Sequence, residues 1–332
     1  MLTSWNLLGH DFAIAALQRD IQDDRLRHAY LIAGSAGLGK RTLALAFIKA
    51  LLCEKQTGCT ECRPCKLVAS GNHPDLFTIA PVISGKLIKS EKIGIDRIRD
   101  VIKALSLKPT EANRRIALVT NFETASEEAA NAFLKTLEEP PGHSILILTT
   151  DNLESLLPTI RSRCEVITLR PLPTALIREA LIERWHVLDD RAGLLAQLSG
   201  GRLGWAVNAI EDEGQLLERR AQRLEELGQL LKGSRATRFA YAESLAKDRQ
   251  ALKETLDLWL SWWRDVMLLA ANANTPPINR DHQAALQQAA DSLGPDSAAK
   301  AVESIQRTLA LLPRNINARL AVEVLMLDLP RL

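Results

Sequence analysis

The run from Gly34 to Lys40, with the letters GSAGLGK, is the feature that most restricts how this chain can fold. It follows the apolar segment Ala29–Ala33 and precedes a helical pattern that begins at Thr42. Glycines in such a turn let successive backbone N–H groups face phosphate oxygens at the positive end of the helix, and the lysine adds a charge near the outer phosphates. The pattern therefore predicts a strand, a phosphate-binding loop and a helix, in that order. The candidate ligands for ATP or ADP are Gly34, Gly37, Gly39, Lys40 and Thr42.

The position after the lysine departs from the usual phosphate-binding loop. Arg41 stands where a serine or threonine hydroxyl would hold magnesium. The next hydroxyl, on Thr42, lies about 100° further round the helix and is poorly placed to replace it. We therefore expect the loop to hold phosphate better than it cleaves it, and the sequence leaves open whether a nucleotide binds there.

Length and composition indicate a protein of several domains. A chain of 332 residues is long for one domain and suits two or three, and its 46% hydrophobic content is enough for real cores. A net charge of +2 gives no overall attraction to nucleic acid or membrane, so any contact with DNA would be local. No apolar run approaches the roughly 20 residues of a membrane span, and the N-terminal residues lack the pattern of a signal peptide. We therefore expect a cytoplasmic protein with no membrane partner.

Four of the five cysteines lie close together, at spacings of five, two and two intervening residues. In an intracellular chain of this size, clustered thiolates favour a metal over disulfides, and the two-residue spacing lets neighbouring sulfurs converge on one tetrahedral ion. Four thiolates would close the coordination shell, so the cluster predicts structural zinc without a catalytic role. Incidental thiols, a redox pair and an iron–sulfur cluster are the alternatives. The predicted zinc ligands are Cys53, Cys59, Cys62 and Cys65.

Strand-like and helical segments alternate over residues 1–170, which predicts a parallel sheet covered by helices on both faces. The strand candidates are Ala29–Ala33, Leu76–Ile79, Ile116–Thr120, Ile145–Thr149 and Val166–Leu169. The helical candidates are Phe12–Asp23, Thr42–Leu52, Ile95–Leu105 and Ala125–Glu138, followed by Thr174–Trp185 and Arg191–Leu198. The aperiodic segment Pro81–Glu91 is interpreted as a loop.

The sheet pattern stops at Pro171-Leu-Pro173, and only helical patterns follow. Residues 171–212 are interpreted as a small helical domain. Residues 213–332 contain amphipathic stretches and no strand signal, so they predict a third, all-helical domain. This third domain contains aromatic and methionine side chains at helical spacing, which are first of all expected to form a core, with burial of one or two in an interface as the alternative. They are Trp259, Trp262, Trp263 and Met267.

Three further motifs point to a family. The run Asn131–Pro141, with the letters NAFLKTLEEPP, precedes an apolar strand, and Leu157–Cys164, with the letters LPTIRSRC, follows it. The cysteine insert comes directly after the helix of the phosphate-binding loop, with His73-Pro-Asp75 behind it. In combination, these motifs resemble the bacterial clamp-loader proteins of the AAA+ superfamily. The resemblance covers residues 5–210 and continues more weakly towards the C-terminal end.

The resemblance implies an α/β parallel-sheet P-loop domain of the AAA+ type with a zinc-binding insert at about residues 53–65, then a helical lid and an all-α collar. It also implies that the arginine of Ser-Arg-Cys, here Arg163, reaches across a subunit interface to a neighbour's terminal phosphate as an arginine finger. A strand-edge contact or an ion pair with Glu165 is the alternative for that arginine. ATPase members would carry Asp-Glu where this chain has Thr120 and Asn121, which cannot supply a magnesium carboxylate or a catalytic base.

The leading hypothesis is therefore a clamp-loader subunit that hydrolyses no ATP, presents Arg163 to a neighbouring ATPase subunit and helps load a sliding clamp on primed DNA during replication. Its partners would be the other subunits of the loader and, through the complex, the clamp and the DNA. It would belong to a DNA polymerase holoenzyme without intrinsic ATPase activity. An active ATPase subunit of the same assembly and an AAA-like scaffold outside replication are the alternatives.

Overall fold

The chain folds into two compact units, Met1–Trp205 and Ala206–Leu332. The computed structural model describes residues 5–80, 93–212, 214–312 and 316–331. The loop predicted at Pro81–Glu91 lies outside the described residues. The predicted separation of a sheet domain, a lid and a collar stays a prediction.

A parallel sheet forms the centre of the first unit. Its strands are β1 (Ala29–Ala33), β2 (Leu76–Ile79), β3 (Arg115–Val119), β4 (Ser144–Thr150) and β5 (Glu165–Thr168). They lie in the order β2-β3-β4-β1-β5, and every pairing is parallel. The central strands β1 and β4 are buried along their whole length, as expected where both faces of a parallel sheet are covered. The predicted parallel sheet is confirmed, with each strand within one residue of its candidate.

Helices on both faces of the sheet enclose two hydrophobic cores. The helices of this unit are α1 (Asp11–Gln22), α2 (Lys40–Leu52), α3 (Arg63–Ser70), α4 (Ile95–Ser106), α5 (Glu127–Glu138), α6 (Pro158–Arg161), α7 (Thr174–Trp185), α8 (Asp189–Leu198) and the start of α9 (Leu203–Glu211). Because side chains alternate along a strand, Tyr30 and Ile32 pack in one core with Phe47 of α2. Leu31 packs in the other core with Phe133 of α5.

Capping explains where two of the predicted helices differ from the structure. Gly39 has a φ of 91° and takes a left-handed conformation before α2, so this helix begins at Lys40 and not at Thr42. The Ser126 hydroxyl accepts a hydrogen bond from the N–H of Ala129 at 3.2 Å, so α5 begins at Glu127. The short helices α3 and α6 are absent from the prediction.

The second unit is helical throughout its described part. Its helices are α10 (Gln215–Lys232), α11 (Arg235–Leu245), α12 (Arg249–Ala270), α13 (Gln283–Leu311) and α14 (Ala318–Asp328), after the end of α9. Trp259 and Trp263 of α12 are completely buried in the core of this unit, and Trp262 is buried as well, which confirms the core interpretation of the tryptophans. A left-handed Gly294, followed by Pro295, interrupts α13. Among the described helices, none is long and apolar enough to cross a bilayer.

A buried arginine joins two helix ends in the second unit. All five N–H groups of the Arg238 guanidinium donate to backbone carbonyls at the C-terminal ends of α10 and α14, where the helix dipoles concentrate negative charge. The acceptors are Leu230, Leu231, Met326, Leu329 and Pro330. No ion pair of Arg238 is present among the described residues, and burial lowers the pKa of its guanidinium. The residue is therefore a structural clamp between helices.

A buried carboxylate organises the chain between α4 and β3 in the first unit. Asp75, which is 1% exposed, accepts the backbone N–H groups of Thr110 at 2.6 Å and of Glu111 and Ala112 at 2.8 Å. Burial alone would raise the pKa of Asp75, but these three donors and the nearby Arg115 outweigh it and hold the pKa below its usual value. The carboxylate is therefore expected to be ionised at neutral pH and to stabilise this turn.

Replacing Asp75 by Asn is expected to lower the free energy of unfolding by about 2–3 kcal/mol at pH 7, because the amide leaves at least one of the three buried N–H donors without an acceptor. The pKa is depressed in the folded state, so the stabilisation is present above the unfolded-state value of about 4 and is lost as the pH falls through the folded-state pKa. Urea unfolding at pH 7 and at decreasing pH measures both effects. Asp96→Asn, on the exposed face of α4, is the control; equal stability of the two variants at pH 7 would contradict the assignment.

Candidate functional site: the glycine loop, the interface arginine and the cysteine cluster

The glycine loop connects the C-terminal end of β1 to the first turn of α2. The N–H of Gly34 donates to the carbonyl of Thr150 at 3.1 Å, so the ladder between β1 and β4 continues into the loop. Gly37 has a φ of 84°, and a side chain there would lie 3.1 Å from the backbone nitrogen of Trp205. Glycine is therefore required by conformation and by space. The structure places Gly34, Gly37 and Gly39 together in one turn at the N-terminus of α2.

The first residues of α9, and Arg202 before them, lie against this loop. The N–H of Gly204 donates to the carbonyl of Gly37 at 2.8 Å. The Cβ of Arg202 lies 3.4 Å from the position that a Cβ on Gly37 would occupy. The Nε of Arg202 donates to the carbonyl of Ser199 at 2.8 Å. One side of the loop is therefore in contact with the chain's own backbone.

The charge of Lys40 is satisfied inside the chain. Its ammonium donates to the carbonyls of Gly34 at 2.5 Å and Ser35 at 2.9 Å, and it lies 2.7 Å from Oδ1 of Asp151. The Lys40 side chain is 7% exposed and that of Asp151 is 18% exposed, so this ion pair is poorly screened by water. The three acceptors account for the three N–H groups of the ammonium. Thr42, the last of the candidate ligands, is exposed on α2.

The end of β3 carries polar groups without a carboxylate at either of the two expected positions. Thr120 is buried, and its hydroxyl lies 3.4 Å from the carbonyl of Ile79. Asn121 is left-handed, its N–H donates to the Thr149 hydroxyl at 3.1 Å, and its side-chain amide donates to Glu123 at 3.3 Å. These contacts engage both side chains, so they tie β3 to its neighbours and supply no base.

Arg163 lies after α6 and makes two hydrogen bonds within the chain. Its Nη2 donates to Oε1 of Glu138 at 2.7 Å, and its Nη1 donates to the carbonyl of Thr159 at 2.9 Å. Its side chain is 33% exposed. The ion pair of Arg163 is with Glu138 and not with Glu165, whose carboxylate lies 4.0 Å from Arg27. The structure therefore leaves Arg163 reachable from solvent, and its role towards a nucleotide stays a prediction.

The four predicted metal ligands come together in space. The sulfur atoms of Cys53, Cys59, Cys62 and Cys65 all lie within 4.8 Å of one another. A tetrahedral zinc–thiolate site, with bonds of about 2.3 Å, requires sulfurs about 3.8 Å apart. The observed separations of 3.6 Å between Cys53 and Cys59 and 3.9 Å between Cys53 and Cys62 fit this requirement. The cluster can therefore hold a metal ion.

The backbone around the cluster favours the thiolate form of Cys53. Burial alone would raise the pKa of Cys53, but the backbone N–H groups of Cys59, Lys55 and Thr57 lower it to about 5. The N–H of Cys62 faces the sulfur of Cys59 at 3.5 Å. Burial raises the pKa of Cys65, so the backbone favours the thiolate, the form that binds zinc, at Cys53 but not at every ligand of the cluster.

Two residues of the site were missed by sequence reasoning. Asp151 follows β4, and β4 pairs with the strand that leads into the glycine loop, so an acid at this place could have been recognised once the strand order was known. Glu138 is part of the quoted LEEPP run, but its pairing with Arg163 depends on how α5 and α6 pack. Neither contact has a local sequence signal.

Comparison with known proteins places the chain in a family. Residues 9–173 match the family described as DNA polymerase III, delta subunit, and residues 214–330 match the one described as DNA polymerase III, delta subunit, C terminal. The chain is 37% identical to DNA polymerase III subunit delta' of Pseudomonas aeruginosa over 209 residues, which is 62% of each protein. It is 29% identical to the delta' subunit of Bacillus subtilis over 319 residues, 94% of each protein.

A protein with another subunit name is also similar. The chain is 33% identical to DNA polymerase III subunit tau/gamma of Haemophilus influenzae over 188 residues, which is 56% of this chain and 26% of that protein. The two delta' relatives named above match a larger share of both chains than this one does. The chain therefore belongs to the delta-prime family of DNA polymerase III subunits.

Proposed function

We propose that this chain is a clamp-loader subunit that cleaves no nucleotide itself and presents Arg163 to ATP bound by a neighbouring gamma/tau-type subunit. Together with a delta-type subunit it would help to place a sliding clamp on primed DNA. The observation that carries the proposal is the contrast between two cations: Lys40 of the glycine loop is neutralised inside the chain, whereas Arg163 is reachable from solvent.

The residues at the end of β3 support a role without ATP hydrolysis. Phosphoryl transfer needs a group that orients the attacking water and an anionic ligand that holds magnesium. Thr120 and Asn121 stand at these two positions and are engaged in contacts with Ile79, Thr149 and Glu123. An active gamma/tau-type ATPase is therefore the less favoured candidate.

The ion pair of Lys40 bears on nucleotide binding. An incoming phosphate would have to compete with the Asp151 carboxylate for the ammonium, and the pair is buried enough for that competition to be costly. Arg41, in place of the magnesium-binding hydroxyl, weakens the site further. We therefore expect ATP or ADP to bind weakly to this loop.

The isolated chain is expected to release phosphate from ATP and Mg²⁺ no faster than its Lys40→Ala variant, because both lack a base and a metal carboxylate. A coupled phosphate-release assay with both proteins measures this directly. Turnover by the parent chain that disappears in Lys40→Ala would contradict the proposal and favour the active ATPase subunit.

Arg163→Ala is expected to leave assembly intact and to slow ATP hydrolysis at the adjoining site by about 10²-fold or more, because the guanidinium stabilises charge that develops in the transition state. The measurement is single-turnover hydrolysis of γ-labelled ATP by the loader reconstituted from this chain and the other subunits of the same organism. Arg178→Ala, which removes an exposed ion-paired arginine on α7, is the control. An unchanged rate in Arg163→Ala would defeat the finger assignment.

The second unit offers a surface for assembly with the other subunits. Leu320, Val324 and Leu327 lie at intervals of four and three residues along α14, so they share one face of the helix. Their exposed fractions are 59%, 48% and 54%, which is unusual for large apolar side chains that follow one another on a helix. This face, in place of the buried tryptophans of α12, is the collar contact in our proposal.

The cysteine cluster is assigned to structural zinc in this proposal. Four thiolate donors close a tetrahedral shell and leave no open position for substrate, so the ion would stabilise the insert between α2 and α3 without taking part in catalysis. The residues that would hold it are Cys53, Cys59, Cys62 and Cys65.

Replacing both Cys62 and Cys65 by Ser is expected to release about one zinc ion per chain and to destabilise the insert, because metal binding contributes directly to folding of such modules. Elemental analysis of the purified protein measures the metal, and limited proteolysis reports on the insert. Cys164→Ser is the control, since that thiol lies outside the cluster. A parent protein prepared in zinc-containing medium that holds no metal would overturn the assignment.

A further inference from the structure

The guanidinium of Arg163 is only partly used by the chain. A guanidinium has five N–H donors. Arg163 makes two hydrogen bonds to described residues, one through Nη1 and one through Nη2. Arg238 is the opposite case, because all five of its donors reach carbonyls. Among the described residues, three donors of Arg163 are therefore left for an acceptor from outside.

The two acceptors that hold Arg163 belong to well-anchored elements. Glu138 is the last residue of α5, directly after the buried Leu137. Thr159 lies in α6, beside Ile160, which is completely buried. Leu137 and Ile160 belong to the same hydrophobic core, so the backbone positions that carry the Glu138 side chain and the Thr159 carbonyl keep a defined separation. Together they fix the guanidinium at two of its nitrogens, which determines the plane of the group.

The pair with Glu138 contributes little to stability. The side chain of Arg163 is 33% exposed and that of Glu138 is 51% exposed, and ion pairs in such positions contribute less than about 1 kcal/mol. The carboxylate engages a single nitrogen of the planar fork, so it does not block a phosphate from the remaining donors. Its effect is therefore on the orientation of the guanidinium more than on the stability of the fold.

We propose that Glu138 is the positioning residue of Arg163: it holds the guanidinium in the orientation from which the unused N–H groups reach a phosphate on a neighbouring subunit. This inference rests on the proposed function of Arg163 as a finger. Glu138 contacts no phosphate in this arrangement and acts only through the arginine. The amide oxygen of a glutamine at the same position can accept the same hydrogen bond.

The test is single-turnover ATP hydrolysis by the reconstituted loader that contains Glu138→Ala, Glu138→Gln or Arg163→Ala in this chain. Glu138→Ala is expected to slow hydrolysis at the adjoining site about fivefold, because the unrestrained guanidinium spends less time in the productive orientation. Glu138→Gln is expected to recover most of that loss. The affinity of the complex for ATP and the thermal midpoint of the chain are expected to stay unchanged. If the role of Glu138 were merely structural, the thermal midpoint would fall.

The variants separate this inference from the proposed function. Glu138→Ala added to Arg163→Ala is expected to have no further effect, since the carboxylate acts only through that arginine. A normal or faster rate in Glu138→Ala, together with slow hydrolysis in Arg163→Ala, would overturn the positioning role and leave the finger intact. A normal rate in Arg163→Ala would overturn both. Asp189→Ala, which breaks an exposed arginine–carboxylate pair elsewhere in the unit, is the matched control.

Discussion

Parallel pairing of β1 with β4 is the constraint on which the site depends. The register places Ile32 opposite Thr149 and Ala33 opposite Thr150, and the hydrogen bond from Gly34 to Thr150 extends the ladder by one more residue. The residue after Thr150 is Asp151, so its carboxylate comes to lie beside the loop that follows β1. Because the carboxyl ends of parallel strands meet at one edge of a sheet, the end of β3 is brought to the same place. The chemistry of the loop is therefore decided by residues that are distant in sequence.

The two cationic groups at issue differ in how the chain uses them. Lys40 has an acceptor for each of its three N–H groups, and one of these acceptors carries a full negative charge. Arg163 has a carboxylate and a carbonyl on two nitrogens, remains one-third exposed, and is held by residues of two helices that are anchored in a core. Because each N–H group of Lys40 already has an acceptor, this lysine has no donor left for a phosphate. Arg163 is held in place and still has N–H groups that can donate. This difference is the physical basis of the proposal that the neighbouring subunit hydrolyses ATP and this chain supplies the arginine.

Much of the first unit could be predicted from the sequence because its strands are continuous apolar runs. Ala29–Ala33 and Leu76–Ile79 were predicted with their observed bounds, since a polar residue precedes each strand and Gly34 or Pro81 follows closely. The helix α3 was missed because it begins inside the cysteine cluster and carries Pro64 in its first turn. The four cysteines could be grouped from their spacing alone, because short intervals leave few ways of arranging the sulfurs.

The contacts that shape the candidate site could not be predicted in the same way. The pairing of Lys40 with Asp151 requires the strand order, and the pairing of Arg163 with Glu138 requires the packing of α5 on α6. The clamp formed by Arg238 depends on the end of α14, where its acceptor Leu329 is 91 residues away in the chain. In each case the local sequence specifies the polar group but does not specify its partner, which only tertiary structure supplies.

The most direct measurement is a structure of the complete loader, assembled with its clamp, primed DNA and a non-hydrolysable ATP analogue. We expect the guanidinium of Arg163 within hydrogen-bonding distance, about 3 Å, of the terminal phosphate held by the adjacent subunit, with the Lys40–Asp151 pair closed and no nucleotide in this chain's own loop. An Arg163 side chain remote from every bound nucleotide, or a nucleotide seated on Lys40 with Asp151 displaced, would contradict it.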